Sequence, residues 1–490
     1  MCPFLLMENQ RKNFIGNLLL LISLNLLIKP FWIFGIDRTV QNLVATDVYG
    51  IYYTLFNLTF ILNMLLDMGT TTFNNRGIAQ DRDFLQRNFS RILTLRLLLG
   101  GIYALAVLAV AFAAGYRTGE FGLLIPLAIN QFLSLFILYL RSNVSGLLMF
   151  KTDSFLSVAD RLIMIVCCSL LIWGNITDRP FQITWFIYIQ MFSYTVTALI
   201  ALAVVLKHCR LQRPVWDFPF FREVLLKSLP FALLALLTNI HNRVDAVLLD
   251  RLLPAGTGAM QAGIYASAYR LLDAAIIIAY LFSVILMPLF AHLISRREDF
   301  RDILKTSFVL LFVYGLLLAV CSFFYSHEIM NLLYTKHIEE SASVYGLLML
   351  SILPVALTYI FGSLLTANGN LKQLNFIALC AVGINLLGNL LLIPHFQAVG
   401  SAAVSVGTQC FIICSEIILT LKIFRLKISP SFIFRTAGFT AAVVFLTACS
   451  CRLSLHWGLR LGGVLLLCLF LIFVFRLIRV RDILVLFRRR

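Results

Sequence analysis

Residues 37–52 read DRTVQNLVATDVYGIY, and residues 250–265 read DRLLPAGTGAMQAGIY. Both stretches open on Asp-Arg and close on Gly-Ile-Tyr, and the two copies of each word stand 213 residues apart. An apolar run precedes each, over 14–36 and 224–249. A run of about 20 mostly apolar residues crosses the hydrocarbon core of a bilayer as a helix. Each stretch therefore joins the end of one span to the start of the next. A period of six spans leaves both halves pointing the same way, as in parallel repeats related by an axis along the membrane normal.

The same apolar texture extends outward over the whole chain. Of its 490 residues 60% are hydrophobic and 13% charged, with a mean hydropathy of +0.92. A soluble globule of this size needs far more polar surface. A soluble enzyme, a secreted disulfide scaffold and a disordered regulator are thereby excluded. About fourteen spans of about 20 residues leave only short connections and no sizeable extramembrane domain. Hydropathy places them near 14–36, 48–69, 90–114, 121–149, 155–174, 181–206, 224–249, 262–290, 303–325, 343–366, 374–393, 398–421, 432–451 and 458–478. The runs are long blocks, not the roughly 10-residue alternations of a barrel.

The expected fold is an all-α polytopic membrane protein of two six-helix lobes and two added helices. The N-terminal lobe is 1–206, a basic inter-lobe loop is 207–223, the C-terminal lobe is 224–425, and the appendage with its basic tail is 426–490.

A net charge of +17 reads here as the positive-inside rule, with no nucleic-acid partner. With the N-terminus cytoplasmic, inside segments collect Arg11 and Lys12; Arg76, Arg82, Arg87 and Arg91; Lys207, Arg210, Arg213 and Arg222; Arg296, Arg297, Arg301 and Lys305; Lys422, Arg425 and Lys427; and the tail from Arg476. Outside segments hold about one each: Arg38, Arg117, Arg179, Arg251, Lys336 and Arg452. Both termini are expected in the cytoplasm. The run 14–36 is too long for a signal core and reads as a permanent span. The 11 cysteines lack metal or disulfide spacing, and neither a metal nor a cofactor is expected.

Polar residues inside the spans carry the functional information, because a charge at mid-bilayer costs about 2.5–3.5 kcal/mol on insertion scales. Asn13, Asn17, Asn25 and Lys29 lie at multiples of four along one face of the first span. Tyr49, Tyr53 and Asn57 keep the same stride in the second, with Tyr52, Asn63 and Asp67 beside them. The seventh span has Asn239, Asn242, Arg243 and Asp245; the eighth has Tyr265, Tyr269, Arg270 and Asp273. The repeat offset places Arg270 on Asn57.

Arg270 and Asp273, three residues apart, can neutralise each other. Lys29 has no acid within a turn, and Arg243 has only Asp245, which points elsewhere at i+2. Both cations need partners on other helices, water or an anionic ligand. Arg141, Asp160 and Arg161 fall near span ends and read as snorkelling to the interface. Glu416 stands alone in the twelfth span, with structural and coupling roles both open. Pro30 follows Lys29, and Pro126, Pro230, Pro288 and Pro354 mark further points where a helix can bend. Phosphate-loop, HExxH and GxSxG motifs are absent, so the chain is not expected to be an enzyme.

The words Asp47-Val-Tyr-Gly-Ile-Tyr52, Asp67-Met-Gly69 and Asn74-Asn-Arg-Gly-Ile-Ala79 resemble the first-to-third-helix region of Wzx-type polysaccharide-transport flippases. These belong to the MATE-like multidrug/oligosaccharidyl-lipid/polysaccharide exporter superfamily. Gly263-Ile-Tyr-Ala-Ser-Ala-Tyr-Arg270 and Ala367-Asn-Gly-Asn370 echo the same resemblance. It implies movement of an undecaprenyl-pyrophosphate-linked oligosaccharide unit between leaflets of a bacterial inner membrane by alternating access. The unit would feed O-antigen (lipopolysaccharide), capsule or exopolysaccharide assembly, with the polysaccharide polymerase and chain-length machinery as partners beside the membrane lipids. The substrate-binding candidates are Lys29, Arg243, Arg270, Asp273, Asn57, Tyr265 and Tyr269. Cations attract a pyrophosphate strongly in a low-dielectric cavity, and tyrosines suit sugar rings. The alternatives are a drug or cation exporter of the same superfamily, which Asp67, Asp245 and Asp273 keep open, and a membrane glycan polymerase or ligase.

Overall fold

The computed structural model describes residues 23–25, 27–81, 83–116, 118–174, 178–209, 215–427, 429–475 and 477. Among them every regular element is helical. A π-helical turn over Trp32–Asp37 runs into α1 (Arg38–Leu43), followed by α2 (Thr46–Ile61), α3 (Met64–Asp67), α4 (Thr70–Gln80) and α5 (Asp83–Ala113). Then come α6 (Thr118–Gly146), α7 (Phe150–Trp173), α8 (Ile183–Leu206), α9 (Phe218–Leu252) and α10 (Thr257–Arg296). The rest are α11 (Arg301–Phe324), α12 (Ser326–Leu333), α13 (Ile338–Met349), α14 (Ile352–Ala367), α15 (Leu371–Phe424), α16 (Pro430–Ser450) and α17 (Trp457–Val474).

The described residues form 11 helical segments long and apolar enough to cross a membrane. The chain is an all-α, multi-pass membrane protein. Three features separate this count from the spans read off the sequence. Residues 14–22 of the first expected span lie outside the described residues, together with Asn13 and Asn17 of its stripe. α9 has 35 residues, but Asn239, His241, Asn242, Arg243 and Asp245 dilute its hydropathy. α15, at 54 residues, holds two expected spans joined at Gln397, whose φ of 51° and ψ of −132° are not helical. That kink falls three residues after Pro394, which cannot donate to the ladder. Pro30 lies two residues before the π-helical turn, a form that concentrates at functional sites. Pro126, Pro230 and Pro288 instead sit inside continuous helices.

Contacts group the chain into two compact units, Met1–Gly263 and Ile264–Arg490. In the first, α6 packs on α8, α4 and α2, and α2 lies along α9. Ile78, Phe89, Tyr139, Leu140 and Val205 form part of its core. In the second, α14 packs between α11 and α15. The last two helices close over α11, with Phe439, Val443 and Cys468 against Val313, Leu316 and Val320.

The repeated words have structural reasons. A Cβ on Gly50 would lie 1.8 Å from the carbonyl oxygen of Ala259, and one on Gly263 would lie 2.2 Å from that of Thr46. The start of α2 and the start of α10 thus approach so closely that both copies of Gly-Ile-Tyr require glycine. The Asp-Arg copies close loops: the Tyr49 hydroxyl donates to Asp37 Oδ1 at 3.0 Å. Arg251 bonds Glu120 at 3.3 Å and lies 3.6 Å over the Tyr116 ring. Burial pushes the Tyr116 phenol above its ordinary pKa, Asp250 adds to the rise and Arg251 opposes it.

Candidate functional site

In the first unit the polar face of the N-terminal helix meets α7. Asn25 Nδ2 donates to Ser157 Oγ at 3.2 Å. One turn on, half-buried Lys29 lies in the field of Arg161 and Asp160 on α7 and of Arg141 on α6. Among the described residues no carboxylate lies within ion-pair distance of its ammonium.

Arg161 does not snorkel as expected. Its guanidinium lies 5.4 Å from the Trp32 ring and 5.8 Å from that of Tyr194, and its Nε is 3.7 Å from Asp160. It turns inward because two aromatic faces and a carboxylate meet it there, and a cation over an aromatic ring is attracted by the quadrupole. Arg141 is also engaged, donating from Nε and Nη2 to the two oxygens of Asp153 at 2.8 and 3.3 Å. Bidentate pairing fixes Arg141 in place. The cluster therefore presents three cations against two carboxylates, with its lysine unpaired by either. The missed signal was the stripe Asp153, Ser157, Asp160 and Arg161, spaced to share one face of α7.

The other candidates of this unit line the α2–α9 pair. Thr54 Oγ1 donates to the Ala246 carbonyl at 3.3 Å, and Asn239 Nδ2 to Asn63 Oδ1 at 3.2 Å. Between these ties Arg243 lies 5.1 Å over the Phe60 ring. Asn57 is buried; its Nδ2 donates to the Tyr53 carbonyl at 2.8 Å, while its Oδ1 has no partner. A buried acceptor left unmet is costly, which marks Asn57 as more than packing.

Asp67 has a different role from the one that kept a cation exporter open. It ends α3 where Met68 and Gly69 turn left-handed, with φ of 44° and 77°. A Cβ on Gly69 would meet Ser228 of α9 at 2.6 Å. The Asp67 carboxylate is paired with the buried Arg96 of α5, which also donates to Thr71 Oγ1 and, at 3.1 Å, to the Leu135 carbonyl. Its guanidinium lies 4.8 Å over the Tyr139 ring. The Thr71 amide caps the same carboxylate at 3.1 Å. Asp67-Met-Gly is thus a helix break held by a buried ion pair. Asn74 and Asn75 fasten α4 to Ser142, Asn143 and Ser145 of α6 at 2.9–3.1 Å, so their motif is also structural.

The second unit holds Tyr265, Tyr269, Arg270 and Asp273 on α10. The rings of Tyr265 and Tyr269 are 5.7 Å apart and tilted by 33°. The Tyr265 hydroxyl is 3.2 Å from Ser405 Oγ of α15. Both tyrosines are buried, whereas Arg270, directly after Tyr269, and Asp273, one turn beyond it, are half-buried. Among the described residues no group of three or more His, Cys, Asp or Glu side chains could hold a metal ion.

A family profile described as polysaccharide biosynthesis protein matches residues 17–294, more than half of the chain. The protein belongs to this family. Its members' match spans the π-helical turn, the Asp67–Arg96 break, the Lys29–Arg161 cluster and the start of α10. No functionally curated protein matches the chain. Among solved structures, the family member shares its fold with the lipid II flippase MurJ in an inward closed conformation. The TM-score is 0.66 at 12% identity, over 96% of this chain and 98% of that one. An inward-facing multidrug resistance MATE family transporter of the MOP superfamily gives a TM-score of 0.60 at 14% identity, covering 83% of this chain and 96% of its own. A MOP superfamily transporter from Pyrococcus furiosus gives 0.56 at 15%, covering 82% and 92%. These likenesses show that the chain shares the fold of those proteins.

Proposed function

We propose that this protein is a flippase for undecaprenyl-pyrophosphate-linked oligosaccharide units. It would carry them from the cytoplasmic to the periplasmic leaflet of a bacterial inner membrane by alternating access, with both termini cytoplasmic. The polysaccharide biosynthesis family supports the pathway, and the fold likeness to a lipid II flippase supports the type of cargo. The observation that carries the reading is Lys29, a half-buried ammonium with no carboxylate partner among the described residues, beside the second cation Arg161. A polyanionic headgroup satisfies such a pair; a cationic drug does not. Asp67, one of the three acids with Asp245 and Asp273 that kept a cation exporter open, is paired with Arg96.

In this reading Lys29, Arg243 and Arg270 hold the pyrophosphate, Asn57, Tyr265 and Tyr269 contact sugar, and Asp273 sets the orientation of Arg270. The lobes 1–206 and 224–425, linked by the basic loop 207–223, rock against each other while 426–490 rides along. The flipped unit then reaches a polymerase and chain-length machinery for O-antigen, capsule or exopolysaccharide. Loss of the gene tests this directly. Lipid-linked single units accumulating in the cytoplasmic leaflet support it, whereas units stranded in the periplasmic leaflet identify a polymerase or ligase defect and overturn it.

A further inference from the structure

The second unit contains an acid that the cargo reading does not use. Glu416 lies near the end of α15, only 4% exposed. Its Oε2 is fully buried without a hydrogen-bond partner, and among the described residues no cation lies within ion-pair distance. Across from it is Gly362 of α14, where a Cβ would stand 3.1 Å from Glu416 Oε1. The carboxyl therefore occupies space that a missing side chain leaves open.

Two threonines border this space. Thr358, one turn before Gly362 on α14, is the neutral neighbour whose hydroxyl lies toward Glu416 without closing a hydrogen bond. Thr420 lies one turn after Glu416 on the same helix face. Threonines inside helices ordinarily return their hydroxyl to the carbonyl four residues back. Thr408, Thr436, Thr440 and Thr447 of this chain all do so, at 2.8–3.0 Å. Thr358 and Thr420 do not: their Oγ1 atoms are buried and unpartnered, as is Glu416 Oε2. Glu416 Oε2 and Thr358 Oγ1 are thus unmet oxygens of neighbouring side chains in the α14–α15 pair, and Thr420 Oγ1 is unmet one turn along α15.

Among the described residues no charged side chain, including Lys305 of α11, acts on the carboxyl. α14 carries no charged residue, and Tyr359 is its one titratable group. On α13 the titratable residues are Glu339 and Glu340 in the first turn, and Tyr345, whose hydroxyl donates to Ser322 at 2.9 Å. On α15 the nearest are Cys410, Cys414 and Lys422, and on α10, which shares this core, Tyr280 meets Tyr359 edge-on with ring centroids 6.1 Å apart. Among the described residues Thr358 is the side chain that acts on Glu416. An isolated carboxylate in a low-dielectric interior neutralises rather than stays charged. A hard cation would need about six or more oxygen ligands, and one carboxylate with two hydroxyls is too few.

We propose that Glu416 is a proton-binding site of the second unit, taking one proton from water and donating it as Oε2–H toward the Thr358 hydroxyl. Uptake makes one O–H bond on Oε2 and breaks one in hydronium, which is left as water; the reverse transfer returns the proton to water when α14 and α15 part. Proton binding stands apart from the cargo; its coupling to transport rests on the flippase reading.

The test is difference infrared spectroscopy of the purified full chain in lipid vesicles, titrated across pH, for wild type and Glu416→Gln. The expected result is a protonated-carboxylic-acid carbonyl band that is present in wild type and absent in the variant. Unchanged spectra overturn the proposal. So does failure of Glu416→Gln to insert, because this neutral isostere should replace the bound acid; so does a wild-type band that responds to added sodium at fixed pH. Export measured at two pH values supplies the second arm. Pumping whose pH dependence vanishes in Glu416→Gln ties the site to transport. Absence of any export with the band intact overturns the flippase reading alone.

Discussion

The guanidinium of Arg161 lies 5.4 Å from the Trp32 ring, which places a cation of α7 against the helix that carries Lys29. Trp32 is itself stacked on Phe186 at 5.6 Å and belongs to the π-helical turn that follows Pro30. A cargo that meets Lys29 therefore meets an aromatic wall backed by a second positive charge. The Arg161→Glu change should abolish surface polysaccharide while leaving the protein in the membrane. Arg161→Lys should retain part of the activity, because the charge survives and the planar stacking surface is lost. Immunodetection of protein and of polysaccharide in the same membranes separates these outcomes; full activity of Arg161→Glu would make Arg161 a packing residue.

A second expectation concerns the buried pair Asp67–Arg96. Removing one partner of such a pair leaves an uncompensated charge and costs about 3–5 kcal/mol, whereas a well-packed apolar pair is often neutral. Arg96→Met alone should lower the melting temperature of the detergent-solubilised protein sharply. Arg96→Met with Asp67→Leu should recover most of the loss. A double variant no better than the single one would show that Asp67 does more than hold the break.

The close approach of Gly50 to Ala259 sets a third. An alanine at position 50 puts a carbon where a carbonyl oxygen already sits, and overpacking of this kind typically costs about 1–3 kcal/mol. Gly50→Ala and Gly263→Ala should each reduce the amount of folded protein. Gly101→Ala, with open space around it, should not. Fluorescence-detected size exclusion of tagged variants measures all three.

Topology gives a fourth. Reporter fusions after Arg210, Arg297 and Lys427 should score cytoplasmic, and those after Arg117, Lys336 and Arg452 periplasmic. A periplasmic signal at Arg297 would break the even span count on which the parallel repeat depends.

Composition and apolar block length made the all-helical membrane fold legible, because a bilayer admits few other solutions. The span boundary at Pro394 was also readable, since proline and polar residues punctuate an otherwise continuous apolar run. The site was legible only in part. Lys29 stood out because its own helix offered no acid. Arg161 was passed over because sequence position places a charge along a helix but does not say which neighbouring helix it faces. Asp67 was overvalued for the same reason: its partner Arg96 lies 29 residues away on another helix, and no local spacing rule connects them. The Gly-Ile-Tyr repeat was seen, but its cause, two backbones in near contact, required coordinates.

On the proposed function, the cations of the first unit hold an anionic, lipid-linked cargo during its passage between leaflets. The most direct measurement uses purified protein in vesicles containing an undecaprenyl-pyrophosphate-linked oligosaccharide in known leaflet distribution, with a membrane-impermeant lectin reporting its appearance outside. Wild type should transfer the cargo, and a Lys29→Glu/Arg161→Glu variant of equal melting temperature should not. Transfer by that variant at the wild-type rate, or none by wild type, would contradict the account.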